Sequence, residues 1–252
     1  MAVGQVDQTP ALCKPQLQQR GGLLDLVLMK GFELTHSGRR VSLPLSAQRL
    51  VALLALNERP LPRLYVAGTL WIDSTEEHSN GSLRSTLWRL HRPGFKLVDI
   101  DGSHICLTHE VGVDVRRVQA VARHVMSSQS SLSAEDLHLL ASGGELLPGW
   151  YDDWILIERE RLRQIRLHAL ETMCVRFAQE RHYSEAVLAG LAAVGEEPLR
   201  ESAHRALITA HLAEGNSFEA MRQYRLYERI LQSELSLQPS NELMTMVNAF
   251  LR

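Results

Sequence analysis

The chain has 252 residues, which at about 150 residues per domain gives 252/150, or about 1.7, so two domains are expected. Hydrophobic residues make up 45% and charged residues 22%, proportions typical of a folded globular protein and not of a disordered chain. The net charge of −2 does not by itself indicate a nucleic-acid partner. No apolar run approaches the roughly 18 residues of a membrane-spanning helix. The three cysteines form no CxxC pair, which argues against a disulfide framework or a cysteine zinc site and favours the cytoplasm.

Residues 1–22 lack the basic start and apolar run of a signal peptide, so we expect a flexible polar tail. The charge divides unevenly along the rest of the chain. Residues 1–116 hold 13 basic and 11 acidic side chains, whereas residues 117–252 hold 14 and 18. Together with the change in pattern described below, this predicts a first domain over 23–116 and a second over 117–252.

The first domain opens with strand signals. Apolar and polar residues alternate over 24–28 and again over 32–34, and Gly38 marks a turn before a further strand at 40–43. Alternation with a period of two, interrupted by turn residues, is typical of strands that have one buried face. The pattern predicts a small antiparallel sheet.

Three helices are expected next. The first is predicted over 47–56 with Ser46 as its N-cap, the second over 63–71 beyond a proline-rich break, and the third over 79–92. Two alternating runs then flank an Asp-Gly dipeptide at 101–102, which is a strong hairpin signal. The order of sheet, three helices and hairpin is that of a winged helix-turn-helix. Its third helix would be the recognition helix and its hairpin the wing.

The third helix carries an apolar stripe, Leu83, Leu87 and Leu90, that we expect to face the domain core. At 100° per residue the opposite face carries Gly81, Ser85, Trp88 and Arg92. From Arg84 to Val98 there are four basic residues and no acid, and arginine suits both phosphates and the paired acceptors of guanine. Short serine side chains suit phosphate oxygens. The candidate DNA-binding residues are Ser82, Arg84, Ser85, Trp88, Arg89 and Arg92 on the helix, with Ser103 and His104 on the wing.

Two alternatives stay open for this helix. Its basic side could be an ordinary solvated face. Trp88 could contact a sugar or a thymine methyl group, or it could pack on the wing or on the second domain, and packing is the slightly favoured interpretation.

The sequence pattern of the second half predicts helices throughout from Asp153 onward, and this half contains an internal repeat. Glu180, Glu185 and Ala186 recur 34 residues later as Glu214, Glu219 and Ala220. This is the period of tetratricopeptide helix pairs, in which small alanines allow close helix packing. We therefore predict a tetratricopeptide-like domain, with a capping segment over 239–251.

Other candidate sites are weaker. His104 with His109, and His204 with His211, lack the further ligands of a metal site, so solvated or hydrogen-bonded histidines are expected. Asp73, Glu76 and Glu77 are interpreted as acids that stabilise the start of the third helix rather than catalytic carboxylates.

The Trp150–Trp154 run is interpreted as buried anchors, and the alternating charges of Glu158–Arg166 as a solvated face. No nucleophile, base and orienting group occur together. We therefore expect no enzyme activity, no metal and no cofactor.

The chain resembles the SARP family, the antibiotic-pathway regulators that join a winged-helix domain to a bacterial transcriptional activation domain. The strongest stretch is LLPGWYDDWILIERERLRQIRLHALE at 146–171. It continues through EEPLRESAHRALITAHLAEGNSFEAMRQY at 196–224 and ELSLQPS at 234–240. The first half matches through GFEL, SLRSTLWRLHR and VGVDV. The resemblance covers about residues 23–250.

The resemblance implies a sequence-specific transcriptional activator that binds short direct repeats of promoter DNA, with side-by-side protomers. It also implies recruitment of RNA polymerase, partly through the sigma subunit. The same eight residues of the recognition helix and wing are those to which the family's DNA-binding role carries over. The predicted fold is an α+β winged helix-turn-helix followed by an all-α tetratricopeptide-like domain. The alternative is a helical-repeat adaptor between proteins that does not bind DNA.

Overall fold

The computed structural model describes residues 24–91, 94–127 and 131–249. The predicted tail at 1–22 and the candidate Arg92 lie outside these ranges. Within the described ranges no helix is both long and apolar enough to cross a membrane.

A four-stranded sheet opens the fold. It contains β1 (Leu24–Val27), β2 (Glu33–His36), β3 (Arg39–Arg40) and β7 (Val111–Val113), in the order β3-β2-β1-β7. β1 pairs antiparallel with β2, so that Leu26 lies opposite Leu34, and both side chains are buried. β7 runs parallel to β1, with Val113 beside Leu26. The antiparallel pairing predicted for the strands at the start of the domain is confirmed. The parallel strand β7 was not predicted, because a three-residue strand shows no alternation and its residues pair with residues 87 positions earlier (111 − 24).

The three helices of the first half are α1 (Leu45–Leu56), α2 (Arg63–Leu70) and α3 (Glu76–Leu90). α1 follows Pro44, which stands at the N-cap without a side-chain hydrogen bond. Ser46 is therefore inside the helix and is not its cap. A proline just before a helix is favourable because its φ is already close to the helical value. From Leu50 to Leu56 every residue of α1 is buried, which makes this helix the centre of the first domain's core.

The wing is a three-stranded sheet of β4 (Leu61–Pro62), β5 (Val98–Asp101) and β6 (His104–Leu107), in the order β4-β6-β5. Asp101 pairs with His104, so the turn consists of Gly102 and Ser103 and lies one residue later than predicted. Gly102 has a φ of 53°, which favours glycine. The order of sheet, three helices and hairpin confirms the winged helix-turn-helix.

The remaining helices are α4 (Asp114–Met126), α5 (Ala134–Ala141), α6 (Asp153–Gln179), α7 (Tyr183–Glu196), α8 (Glu201–Glu214), α9 (Ser217–Leu235) and α10 (Asn241–Ala249). The repeated alanines Ala186 and Ala220 are fully buried in the first turns of α7 and α9. Leu243 and Val247 of α10 pack into the cluster that contains Ile208. The predicted helical pairs and their cap are therefore present.

The chain forms two compact units. The first contains the described residues up to Arg116 together with Glu145–Ile155, and the second contains Arg117–Gly144 and the described residues from Leu156 onward. The segment Glu145–Ile155 joins the first unit through backbone hydrogen bonds of 2.9 Å from Leu147 N to Leu28 O and from Lys30 N to Glu145 O. The boundary drawn from the sequence placed this segment in the second domain, since short-range patterns do not show such distant pairing.

Two interpretations of this region need correction. Trp150 is half-buried and stacks on Phe32 with ring centroids 6.2 Å apart, but Tyr151 is 79% exposed and is not a buried anchor. Arg166 is only 3% exposed and is not part of a solvated face. Its guanidinium donates to the carbonyls of Leu140, Gly143 and Gly144 and pairs with Glu196.

Candidate nucleic-acid interface

The recognition helix α3 begins with a side-chain cap. Thr75 Oγ1 accepts a hydrogen bond of 3.4 Å from the backbone N–H of His78, and Glu76 and Glu77 occupy the first turn. Acids in this position interact favourably with the positive end of the helix dipole, as expected from the sequence. The helix starts at Glu76, before the predicted start at Ser79, because Thr75 is a good cap followed directly by two acids.

The inner face of α3 differs from the predicted leucine stripe. Leu83 and Leu90 are buried, but Leu87 is only half-buried and lines a shallow depression together with Phe95, which precedes β5. Ser79 and Thr86 are buried beside the leucines. Ser79 is satisfied because its hydroxyl donates to the Glu76 carbonyl at 3.0 Å. Ser79 therefore fits a tightly packed helix face.

The outer face of α3 carries most of the candidate residues. Arg84, Ser85, Trp88 and Arg89 are exposed, and Ser82 is half-buried. Trp88 is 80% exposed, so its ring does not pack on the wing, one of the two packing sites considered for it. An indole of this size on the outer face of a recognition helix is a substantial apolar surface for a ligand to cover.

The positive charge of this region is concentrated on α3. Arg84 and Arg89 form no ion pair with any residue in the described ranges. Lys96 instead lies 2.6 Å from Asp99, whose carboxylate raises the pKa of this lysine and offsets its charge. The four-charge stretch of the sequence therefore contains a lysine that is already paired, and the two described arginines of α3 carry the basic character.

A shallow groove follows α3. Its walls come from the start of α1, the end of α2 and α3 itself, and it is lined by Ser46, Trp71, Glu77, His78, Gly81, Ser82, Arg84, Ser85, Thr86 and Arg89. Ser46 and His78 were not among the candidates. The sequence signal that could have identified His78 is the N-cap residue Thr75. A cap at this position starts α3 at Glu76, three residues earlier than predicted, and so includes His78 in the helix. No sequence signal placed Ser46 beside this helix.

The wing tip is tied to the start of α2. The backbone N–H of Arg63 donates to the Ser103 carbonyl at 2.7 Å. The Ser103 hydroxyl and His104 Nδ1 are 3.2 Å apart, and both side chains are exposed. The structure thus brings five candidates together on α3 and places two at the wing tip, while Arg92 lies outside the described residues.

The other histidine candidates do not form a metal site. Across residues 24–91, 94–127 and 131–249 there is no group of three or more His, Cys, Asp or Glu that could hold a metal ion. His204 is buried and hydrogen-bonded, as expected, through Nε2 to the Pro198 carbonyl at 2.9 Å. His211 Nδ1 differs: it is buried without a hydrogen bond and lies 3.9 Å from Glu214.

Comparison with known proteins decides the family. The model of the bacterial transcriptional activator domain matches residues 113–251, more than half of the chain. The chain belongs to this family. The match also confirms the resemblance to the SARP regulators that was drawn from the sequence.

Two relatives extend the family assignment. The regulatory protein AfsR of Streptomyces coelicolor is 25% identical over 236 residues, which cover 89% of this chain and 24% of AfsR. The chain therefore spans about a quarter of this relative's length. A structure of Mycobacterium tuberculosis EmbR in complex with a low affinity phosphopeptide matches with a TM-score of 0.72 and 20% identity, covering 92% of this chain and 65% of that one. This second likeness shows a shared fold.

Proposed function

We propose that the protein is a sequence-specific DNA-binding transcriptional regulator, and that it activates transcription by binding direct repeats in promoter DNA. The observation that carries the proposal is the outer face of α3, where exposed Arg84 and Arg89 flank Ser85 and Trp88. This face occupies the recognition position of a winged helix in a chain that belongs to the bacterial transcriptional activator domain family.

The two arginines have the chemistry for both kinds of DNA contact. A guanidinium forms bidentate hydrogen bonds with phosphate oxygens or with O6 and N7 of guanine. Because Arg84 and Arg89 have no ion-pair partner in the described ranges, binding DNA would not require an existing pair to break. Ser82 and Ser85 add short hydroxyl donors, and the wing residues Ser103 and His104 add polar contacts to the sugar-phosphate backbone.

The two predicted domains then have separate tasks. Residues 23–116 bind DNA, and residues 117–252 form the activation domain that recruits RNA polymerase, in part through its sigma subunit. Protomers sit side by side on the repeats, which makes a homodimer on DNA the expected complex. The protein acts in the cytoplasm as a regulator and not as an enzyme, and the proposal needs no cofactor.

The decisive experiment is the selection of binding sites from random duplex DNA by the full-length chain. Parallel selections use the double variant Arg84→Ala/Arg89→Ala and a matched control, Arg225→Ala/Arg229→Ala. The control removes the same charge from exposed positions on α9. We expect a short direct repeat to be enriched by the wild type and the control but not by the α3 variant.

Recruitment is tested separately by transcription in vitro from a promoter that carries the selected repeat. Added protein should increase transcript yield with RNA polymerase holoenzyme, and the α3 variant should not. Repression in this assay would contradict activation but leave DNA binding intact. A folded wild-type protein that enriches no site and recovers a stoichiometric partner other than polymerase would favour the adaptor alternative.

A further inference from the structure

We propose that Trp88 recognises thymine in the operator by covering its C5 methyl group in the major groove. This inference rests on the proposed function, namely that the outer face of α3 binds DNA. It assigns a base preference to one residue of α3, and the position of the helix alone does not give that preference.

Trp88 lies on the outer face of α3, with its residue surface exposed. Gly81, Ser85 and Trp88 are separated by four and three residues, so they form one stripe along α3, opposite the buried Leu83 and Leu90. At 1.5 Å per residue this stripe is about 10 Å long, close to the rise of three base pairs. The two small residues let the N-terminal part of the stripe approach the base edges closely. The indole stands at its other end.

The surroundings of the ring favour duplex DNA as its partner. Its side chain is 80% exposed, and its neighbours on the same helix face are Arg84, Ser85 and Arg89. Two arginines around one aromatic ring suit an anionic ligand that also offers a small apolar group. Duplex DNA offers both the anionic groups, in its phosphates, and the small apolar group, on its base edges. The arginines can bind the phosphates while the ring faces the base edges.

The chemistry of the groove then selects thymine. In a duplex the flat faces of the bases are stacked on each other, so an indole in the major groove meets base edges. Those edges present hydrogen-bonding groups, and their one methyl group is on C5 of thymine. The indole has a single donor and no acceptor. Its large apolar surface is therefore matched by the thymine methyl and by no other base edge.

The test uses the duplex selected by the wild-type protein, with each thymine replaced in turn by deoxyuridine. This change removes the C5 methyl and keeps the base pair. At one or two positions in each half-site we expect wild-type affinity to fall roughly fourfold, the factor for losing one buried methyl group. Trp88→Ala should bind the unmodified site more weakly and be insensitive at those positions. Trp88→Phe should keep part of the sensitivity.

Phe218→Ala serves as the matched control, because Phe218 is a similarly exposed aromatic residue, at 76%, on α9. It should behave as the wild type at every thymine. Equal sensitivity of the wild type and Trp88→Ala, or none in the wild type, overturns the inference. If Trp88→Ala weakens binding while the wild type ignores every methyl group, the ring contacts the sugar-phosphate backbone and the inference is wrong. If the folded wild type binds no duplex, the proposed function itself fails.

Discussion

Gly190 of α7 lies directly against Cys174 of α6: a Cβ atom at residue 190 would be 3.1 Å from the Cys174 sulfur and 3.0 Å from the Leu207 side chain. The backbone of α7 thus takes part in the packing of the second unit. The same close packing removes Cys174 from water, and this burial raises the pKa of its thiol to about 12. Cys174 is therefore a core residue and not a reactive thiol.

We expect Gly190→Ala to destabilise the protein even though alanine is the better helix former. Alanine gains up to about 1 kcal/mol in helix propensity, but forcing a methyl group into a filled core costs about 1–3 kcal/mol. Gly195→Ala is the matched control, since it lies on the same helix with no atom within 4 Å of the added Cβ. The temperature of thermal unfolding should be highest for Gly195→Ala, intermediate for the wild type and lowest for Gly190→Ala. A Gly190→Ala protein as stable as the control would contradict close packing of residue 190 against Cys174 and Leu207.

Arg166 should contribute strongly to stability because it is buried and satisfies several carbonyl groups at once. Arg166→Met removes these donors and leaves Glu196 without its partner. We expect a loss of about 2–4 kcal/mol, below the upper range for buried pairs because Glu196 retains some contact with water. Arg161→Met is the control, because Arg161 is 63% exposed in its pair with the half-buried Glu158, and its substitution should change stability by less than about 0.5 kcal/mol. Equal losses from the two substitutions, measured by urea unfolding, would rule out a special role for Arg166.

We expect the buried His204 to make the free energy of unfolding depend on pH. Burial lowers its pKa in the folded state, and the neutral ring is held by an Nε2–H bond to the Pro198 carbonyl and by acceptance at Nδ1 from the Gln223 amide at 2.8 Å. Below about pH 6.5 the unfolded chain binds a proton at this residue that the folded chain does not. Stability therefore falls as the pH drops from 6.5 towards the lowered pKa of the folded state.

The measurement compares unfolding temperatures between pH 8 and pH 5 for the wild type, His204→Gln and His109→Gln. His204→Gln is expected to be less stable at pH 8 and to lose less on acidification. His109 is exposed, so its substitution should leave the wild-type pH profile unchanged. A profile of His204→Gln that runs parallel to the wild type would contradict the role of this histidine.

Arg84 and Arg89 predict a salt dependence of DNA affinity. If each contacts one phosphate, replacing either with alanine should reduce the slope of log K against log salt by about 0.9. Replacement of an arginine that reads guanine should instead relax the preference at one base pair. Affinities measured between 50 and 200 mM salt on the selected site distinguish the two roles. An unchanged slope and unchanged base preference in both variants would remove these residues from the interface.

Gly81 predicts opposite effects on folding and on binding. A Cβ at this position meets only the flexible end of Arg84, at 3.8 Å. Gly81→Ala should therefore stabilise α3 by up to about 1 kcal/mol. On the proposed interface the added methyl group separates the helix from DNA and weakens binding. A variant with a raised unfolding temperature and full DNA affinity would show that the backbone at Gly81 does not approach the DNA closely.

The sequence was sufficient for features that depend on neighbouring residues. The three helices, the hairpin around Gly102 and the 34-residue repeat of Ala186 and Ala220 follow from local periodicity and turn chemistry, and the structure contains all of them. The family resemblance also came from contiguous strings. These features are encoded within a few helical turns or strand lengths, so they are visible before the chain is folded.

Tertiary structure alone decided features that join distant residues. The parallel pairing of β7 with β1, the return of Glu145–Ile155 to the first unit and the burial of Arg166 all depend on contacts between distant parts of the chain. The exposure of Trp88 also depends on distant parts of the chain, because another element must pack on the helix surface to cover a tryptophan there. Periodicity assigns a side chain to a face of its helix. What packs on that face depends on the topology that brings other elements to it, and for Trp88 no described element of the first unit covers that face.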